Sequence, residues 1–332
     1  MLVGLSALRV AYRRESAQVL LDRSGTLAVF SFDGPGPAVA DPRHLRVPLS
    51  PFAGDPPREC WSVDAEVATG SAAELRWAAG GGWRVASIEI DEAHVGGIRA
   101  ASERAYELLI EHVRTSPECH LQRVWNYLDA INAGTGDTER YRLFCSGRAR
   151  GLAAHAVTRY PAATAIGHHG PRGLLQVYAL SAAEPGAALE NPRQVSAWKY
   201  PREYGPTAPS FARAMRLPNS ALAISGTAAV IGHASHHRDD IAAQANETFA
   251  NLDMLLERAG KPAFDAGSPL KVYVRHREDA DAVRAALASH LDPSVPCVLL
   301  HGDICRRELL VEIDGWNFSG VASDDGAPIP AG

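Results

Sequence analysis

Residues 97–115, GIRAASERAYELLIEHVRT, and residues 239–260, DDIAAQANETFANLDMLLERAG, carry one pattern twice. In the first, Ile98, Ala101, Ala105, Leu108, Leu109 and Val113 recur at helical spacing until Pro117 stops the run. In the second, Ile241, Ala245, Thr248, Leu252 and Leu255 share a face, Asp239 or Asp240 supplies an N-cap, and Gly260 closes the helix. Each is followed by a strand, LQRVWNYL at 121–128 and LKVYVRH at 270–276. A second helical pattern comes next, from about Asp137 to Ala154 and over DADAVRAALASHL at 279–291, and the later copy continues into strands VPCVLLH and ELLVEID. A helix with one apolar stripe must bury it against a sheet, so the repeat predicts two related α+β domains, 1–150 and 151–332, each a mixed sheet with its helices on one face.

Upstream of each first helix lies β-like sequence. In the first half this is GTLAVFSF, ECWSVDAEVATG and WRVASIEID; in the second it is LLQVYALSA, QVSAWKY, SFARAMRL and ALAISGTAAVIG. Residues 33–58, rich in Gly and Pro, read as an irregular surface connection. At 332 residues with 46% apolar composition, the chain can fill two ordinary cores. A formal charge of -5 and the lack of a basic stripe argue against nucleic acid as a partner. Arg9, Arg13 and Arg14 interrupt the apolar N-terminal run, no stretch reaches membrane-spanning length, and the five scattered cysteines form no CxxC pair. A cytoplasmic protein with free thiols is expected.

The densest chemistry lies in HGDICRRELLVEIDGW, residues 301–316. Glu308 to Ile313 reads as a strand, which sets Glu312 among aliphatic neighbours. Burial there would hold its carboxyl protonated near neutrality, fit for a general acid; the plainer reading is an exposed residue paired with Arg306 or Arg307. Cys305 reads as a nucleophile, a proton acceptor or a small buried residue. Residues 191–217 concentrate Arg193, Lys199, Tyr200, Arg202, Tyr204 and Arg213, a set suited to gripping carboxylates or, more plainly, a solvated loop. His233, His236, His237, Asp239 and Asp240 invite a metal, but their spacing opposes it, and His168-His169 fits a turn. No dinucleotide, phosphate-loop or GxSxG pattern is present, and no metal or cofactor is expected.

The runs VWNYLDAIN (124–132), RYRLFCSGRARGL (140–152), SGTAAVIGHASHHRDDIAAQANETFANLDMLL (225–256), KVYVRH (271–276) and HGDICRRELLVEID (301–314) together resemble the chorismatase family. The resemblance implies two domains related to the small RidA (YjgF-like) proteins, whose C-terminal motif is similar to VEID here. It implies a cofactor-free enzyme that takes chorismate to pyruvate plus a benzoate or a dihydroxycyclohexadiene carboxylate, supplying a starter unit for secondary metabolism. By the same resemblance Glu312 is the catalytic acid, and Cys305 bears on product choice, favouring 3-hydroxybenzoate. The members that aromatise the ring also have glycine in the small-residue strand, where Ala228 or Ala229 stands here, and alanine points to hydrolysis. For the substrate's carboxylates the expected partners are Arg148, Arg202, Arg213 and Arg275, with hydroxyls from Tyr200 or Tyr204. Two such domains in one chain imply a monomer. An imine deaminase of the RidA type and a silent ligand-binding protein remain as alternatives.

Overall fold

The structure, a computed structural model, describes residues 5–32, 39–52 and 56–319. Three sheets turn their inner faces toward one core. A four-stranded sheet runs Arg9–Arg13, Arg58–Ser62, Thr26–Ser31, His44–Arg46. A seven-stranded sheet runs Asp303–Ile304, Ala162–His168, His120–Asp129, Leu174–Ala182, Trp83–Asp91, Leu75–Gly80, Ala68–Ala72. Another of seven runs Ala187–Leu189, Ala214–Arg216, Leu222–Thr227, Val311–Asn317, Leu270–Val274, Cys297–His301, Ser50–Pro51.

Apolar stripes assign the helices to outer faces. Helix α1 (Ala17–Leu21) covers the first sheet through Leu20 and Leu21. Helices α2 (Ile98–Arg114) and α3 (Arg140–Ala154) cover the second, and α4 (Ile241–Ala259) and α5 (Ala280–His290) the third. The crossovers through α3 and α5 join the parallel strand pairs of their sheets, as a helix connection must. Asp240 caps α4 through Ala243 N, and Gly260 ends it in the left-handed region at φ 63°. The expected α+β class, with helices on one face of each large sheet, holds.

Other expectations shift. Strands Ala162–His168 and Leu174–Ala182 hydrogen-bond within the second sheet, so the chain passes to the third at 183–186 rather than at 150. Local pattern reveals a strand but not its partners. QVSAWKY forms an isolated bridge from Gln194 to Gly232 and a 3-10 helix at Ala197–Lys199, and the C-terminal strand starts at Val311, with Glu308 to Leu310 in the preceding loop. Within 33–58, residues 33–38 and 53–55 lie outside the described residues. The remainder is no loose surface connection: Leu45, Val47 and Leu49 are buried in the central core.

That core joins the three sheets. Trp61, Trp125 and Trp316, one from each, stand with ring centroids 5.3–5.7 Å apart. Beside them runs a buried chain of charges: Lys271 Nζ donates to Glu59 Oε2 at 2.8 Å and lies 3.7 Å from Asp314 Oδ1, whose other oxygen is 3.3 Å from Arg123 Nη2. Ions so deep add little net stability, but leaving one unpaired is costly, so they fix which sheet faces which.

Candidate active site

A cleft of roughly 390 Å³ opens between the start of α3, the strands Leu222–Thr227 and Val311–Asn317, and the irregular segments around 194–213 and 305–309. Glu312 forms part of its floor. The strands bearing Gly226 and Glu312 pair with a register irregularity between Ile224 and Thr227. A methyl group on Gly226 would fall 1.8 Å from Glu312 Oε1, so the carboxyl occupies the space a side chain would take. Glu312 is 5% exposed, and no hydrogen bond or ion pair reaches its carboxyl among the described residues. Burial first, and the nearby Asp314 second, push its pKa up to about 8, against the opposing pull of Arg123, Arg213 and Arg275. Such a carboxyl retains its proton at neutrality.

Cys305 stands in the cleft wall. Burial, then the charge of Glu312, pushes its thiol up to about 12, which keeps it neutral near pH 7 and opposes its use as a thiolate. Arg213 is 5% exposed, with Nη2 donating to Tyr200 Oη at 2.6 Å and to Val195 O at 2.8 Å. Its guanidinium lies over the rings of Phe211 and Tyr200 at 5.2 and 5.5 Å, and its buried Nε has no acceptor among the described residues. Tyr200, Tyr204 and Ala228 also line the cleft, whereas Ala229 is wholly buried and does not.

Three expected arginines lie elsewhere. Arg202 is in solvent, paired with Asp137 through bonds of 2.9 and 2.6 Å. Arg148 points into the helix layer, donating to Ser210 O at 2.6 Å over the ring of Tyr106. Arg275 is taken up by Asp303, Asn132 and the carbonyls of Ile304, Arg306 and Leu309; it shapes the loop carrying Cys305 and does not face the cleft. Arg202→Ala should therefore leave kcat/KM within about twofold, whereas Arg213→Ala should lower it by the roughly 2–5 kcal/mol of an unpaired buried charge. Steady-state kinetics of the two variants checks both.

The structure adds residues that pattern reading did not place in a binding cleft. Arg306 stacks on Tyr204 at 4.0 Å and binds His233 O and Ser235 Oγ, closing one wall. Gln194 presents a buried Oε1 with no donor among the described residues. Tyr141, Arg142, Arg238 and Arg307 complete a cleft with more arginines than the sequence suggested. The alternation after Arg140 in RYRLF and the doublet Arg306-Arg307 were the available signals. The histidine cluster disperses: His237 binds Glu247 and His233 meets Tyr204. Among the described residues no three His, Cys, Asp or Glu side chains converge as metal ligands. His168 ends the strand Ala162–His168, and its Nδ1 accepts from Gly170 N in the turn that follows.

Comparison with known proteins places this arrangement. Residues 59–181 match the family model "Chorismatase FkbO/Hyg5-like, N-terminal". A chorismatase from Streptomyces rapamycinicus is 34% identical over 273 residues, covering 77% of this chain and 81% of that protein. The chain belongs to the chorismatase family. A 3-hydroxybenzoate synthase from Streptomyces hygroscopicus is likewise 34% identical, over 82% of this chain and 84% of its own length. The crystal structure of a chorismatase superposes with a TM-score of 0.83 at 31% identity, covering 94% of this chain and 99% of the other. In this chorismatase-family chain the N-terminal sheet, where sequence resemblance was faint, is thus part of the shared fold. No helix among the described residues is long and apolar enough to cross a membrane.

Proposed function

We propose that the protein converts chorismate to pyruvate and 3-hydroxybenzoate. The supporting observation is Glu312: a buried carboxyl that retains its proton, has no hydrogen-bond partner among the described residues, and lines a cleft together with Arg213, whose Nε likewise has none among them. Chorismate is inert until its enolpyruvyl ether is protonated on the methylene carbon, and Glu312 is the acid for that step. The resulting oxocarbenium ion makes pyruvate a leaving group. Attack by the adjacent ring hydroxyl on the carbon bearing the ether breaks that ether bond, expels pyruvate and, as the hydroxyl proton leaves, closes an epoxide; opening of the epoxide at the hydroxyl's original carbon, with loss of the proton on the former ether carbon and protonation of the oxygen, gives the aromatic acid. The carboxylate left on Glu312 accepts a proton at the end of the cycle. Arg213 holds a substrate carboxylate, and Gln194 Oε1 accepts from a substrate hydroxyl.

Cys305 contributes as a neutral thiol, filling wall space that water would otherwise take. A second reading, hydrolysis to the dihydroxycyclohexadiene acid, is favoured by Ala228, whose methyl lies in the wall. Purified protein incubated with chorismate alone distinguishes them: pyruvate with 3-hydroxybenzoate is expected, pyruvate with the diene acid would move the assignment to hydrolysis, and no pyruvate would reject both. We read the protein as a cytoplasmic monomer, in keeping with five free cysteines and with three sheets that bury one another's inner faces within one chain.

A further inference from the structure

Two carboxylates, Glu312 and Asp314, sit on the same face of the strand Val311–Asn317, and their surroundings are opposite. Nothing hydrogen-bonds the carboxyl of Glu312 among the described residues. Asp314, wholly buried, accepts on Oδ2 alone from Trp125 Nε1 at 3.0 Å, Thr164 Oγ1 at 2.7 Å and Tyr273 Oη at 2.9 Å, with Arg123 at 3.3 Å. So many donors on one oxygen suit an anion. Thr164 is the link between the two. Its hydroxyl, spent on Asp314, accepts from Gly226 N at 2.9 Å and from Arg123 Nη2 at 2.5 Å. Gly226 is in turn the backbone against which Glu312 rests.

We propose that Asp314 and Thr164 form a positioning pair for the acid: Thr164 pins the Gly226 backbone that seats Glu312, and Asp314 presents a fixed negative charge that favours the protonated form of its neighbour. This deepens the chorismatase reading and rests on it for the kinetic arm of the test. It also explains why a carboxylate is placed here at such cost in desolvation, since a purely structural junction could use apolar residues. The charged and titratable groups around Glu312 are Asp314 on its own strand, Tyr273 on the neighbouring strand with Arg275 just past its end, Arg123 from the second sheet, Arg213 from the segment before Ala214, and Cys305 from the loop. Of these, Asp314 is the acid that opposes ionisation of Glu312, while the three arginines favour it.

The test uses Asp314→Asn, Thr164→Val and Thr164→Ser in the full chain. In Asp314→Asn the upper limb of the kcat profile should move to lower pH: activity falls about threefold at pH 7.5 and about tenfold at pH 9 while activity at pH 5.5 stays within about twofold, the pattern of a one-unit displacement from about 8. Loss by the same factor at every pH, or an unmoved profile, would overturn the charge effect. Should Asp314→Asn fail to fold, the threonine pair decides. Thr164→Val should lower kcat at least tenfold with KM little changed, and Thr164→Ser, which restores the hydroxyl, should recover most of it; equal loss in both would assign Thr164 to packing alone. A substrate-free arm separates this proposal from the assignment of the reaction. The infrared carbonyl band of the protonated carboxyl, identified by its loss in Glu312→Gln, should disappear at lower pH in Asp314→Asn than in the native protein. An unshifted band would refute the pairing even if chorismate is turned over, and a shifted band would sustain it even if the substrate is another.

Discussion

Glu312→Gln is expected to lower kcat on chorismate by about 10²–10⁴-fold, the contribution of a well-placed general acid, with little change in KM. The amide fills the same space but has no proton to give to carbon. A variant within a factor of three of the native rate would remove Glu312 from the mechanism. The same substitution has a signature in stability whose sign follows from protonation. The folded protein holds this proton up to about pH 8, whereas an unfolded glutamate gives it up near 4.5. Between those values the native state binds more protons than the unfolded chain, so stability declines as pH rises through the window and the decline is complete above about 8. Glu312→Gln cannot ionise and escapes that decline. Its melting temperature relative to the native protein should therefore rise between pH 5 and pH 9, by an amount equivalent to a few kcal/mol. A constant difference across that range would mean that the native carboxyl is already ionised at pH 5.

Gly226→Ala should be almost as damaging to turnover, for a geometric reason. The added methyl would lie 1.8 Å from Glu312 Oε1 and 3.3 Å from Thr164 Oγ1, so the carboxyl must swing away or the strand must move. Because Gly226 is outside the left-handed region, backbone strain plays no part. A displacement of about an ångström is enough to cost on the order of 10²-fold in rate. The expected result is a folded protein with kcat reduced by at least that factor and substrate binding largely retained. Binding lost in parallel with kcat would place the glycine's role in substrate recognition.

Legibility in the sequence followed the range of the forces involved. Helices α2, α4 and α5 were readable because each has an apolar stripe and a local stop, and those signals lie within a few residues of one another. The place where the chain passes between sheets was not, because Leu174–Ala182 looks like any buried strand until its partners, Trp83–Asp91 and His120–Asp129, are known. Glu312 was legible from its aliphatic setting together with family resemblance. The arginines were only partly so. Arg213 and Arg202 are of one type in one segment, yet one is buried against Tyr200 and the other pairs with Asp137 in solvent. What separates them is the path of an irregular loop, which no periodicity describes. Arg306 was set aside as a partner for Glu312 and proves instead to brace the wall through Tyr204.

The meeting of Trp61, Trp125 and Trp316, with Glu59, Lys271, Asp314 and Arg123 alongside, also governs how the molecule comes apart. Peeling the N-terminal sheet away would strand the Lys271 ammonium without Glu59 and open the tryptophan cluster to water, although that sheet lends no residue to the cleft. Partial opening is thus nearly as unfavourable as complete unfolding, and the three sheets should melt as one cooperative unit. The catalytic pocket then shares the lifetime of the whole molecule: slow amide exchange in Val311–Asn317 and in Arg58–Ser62 should have a common rate, set by global unfolding.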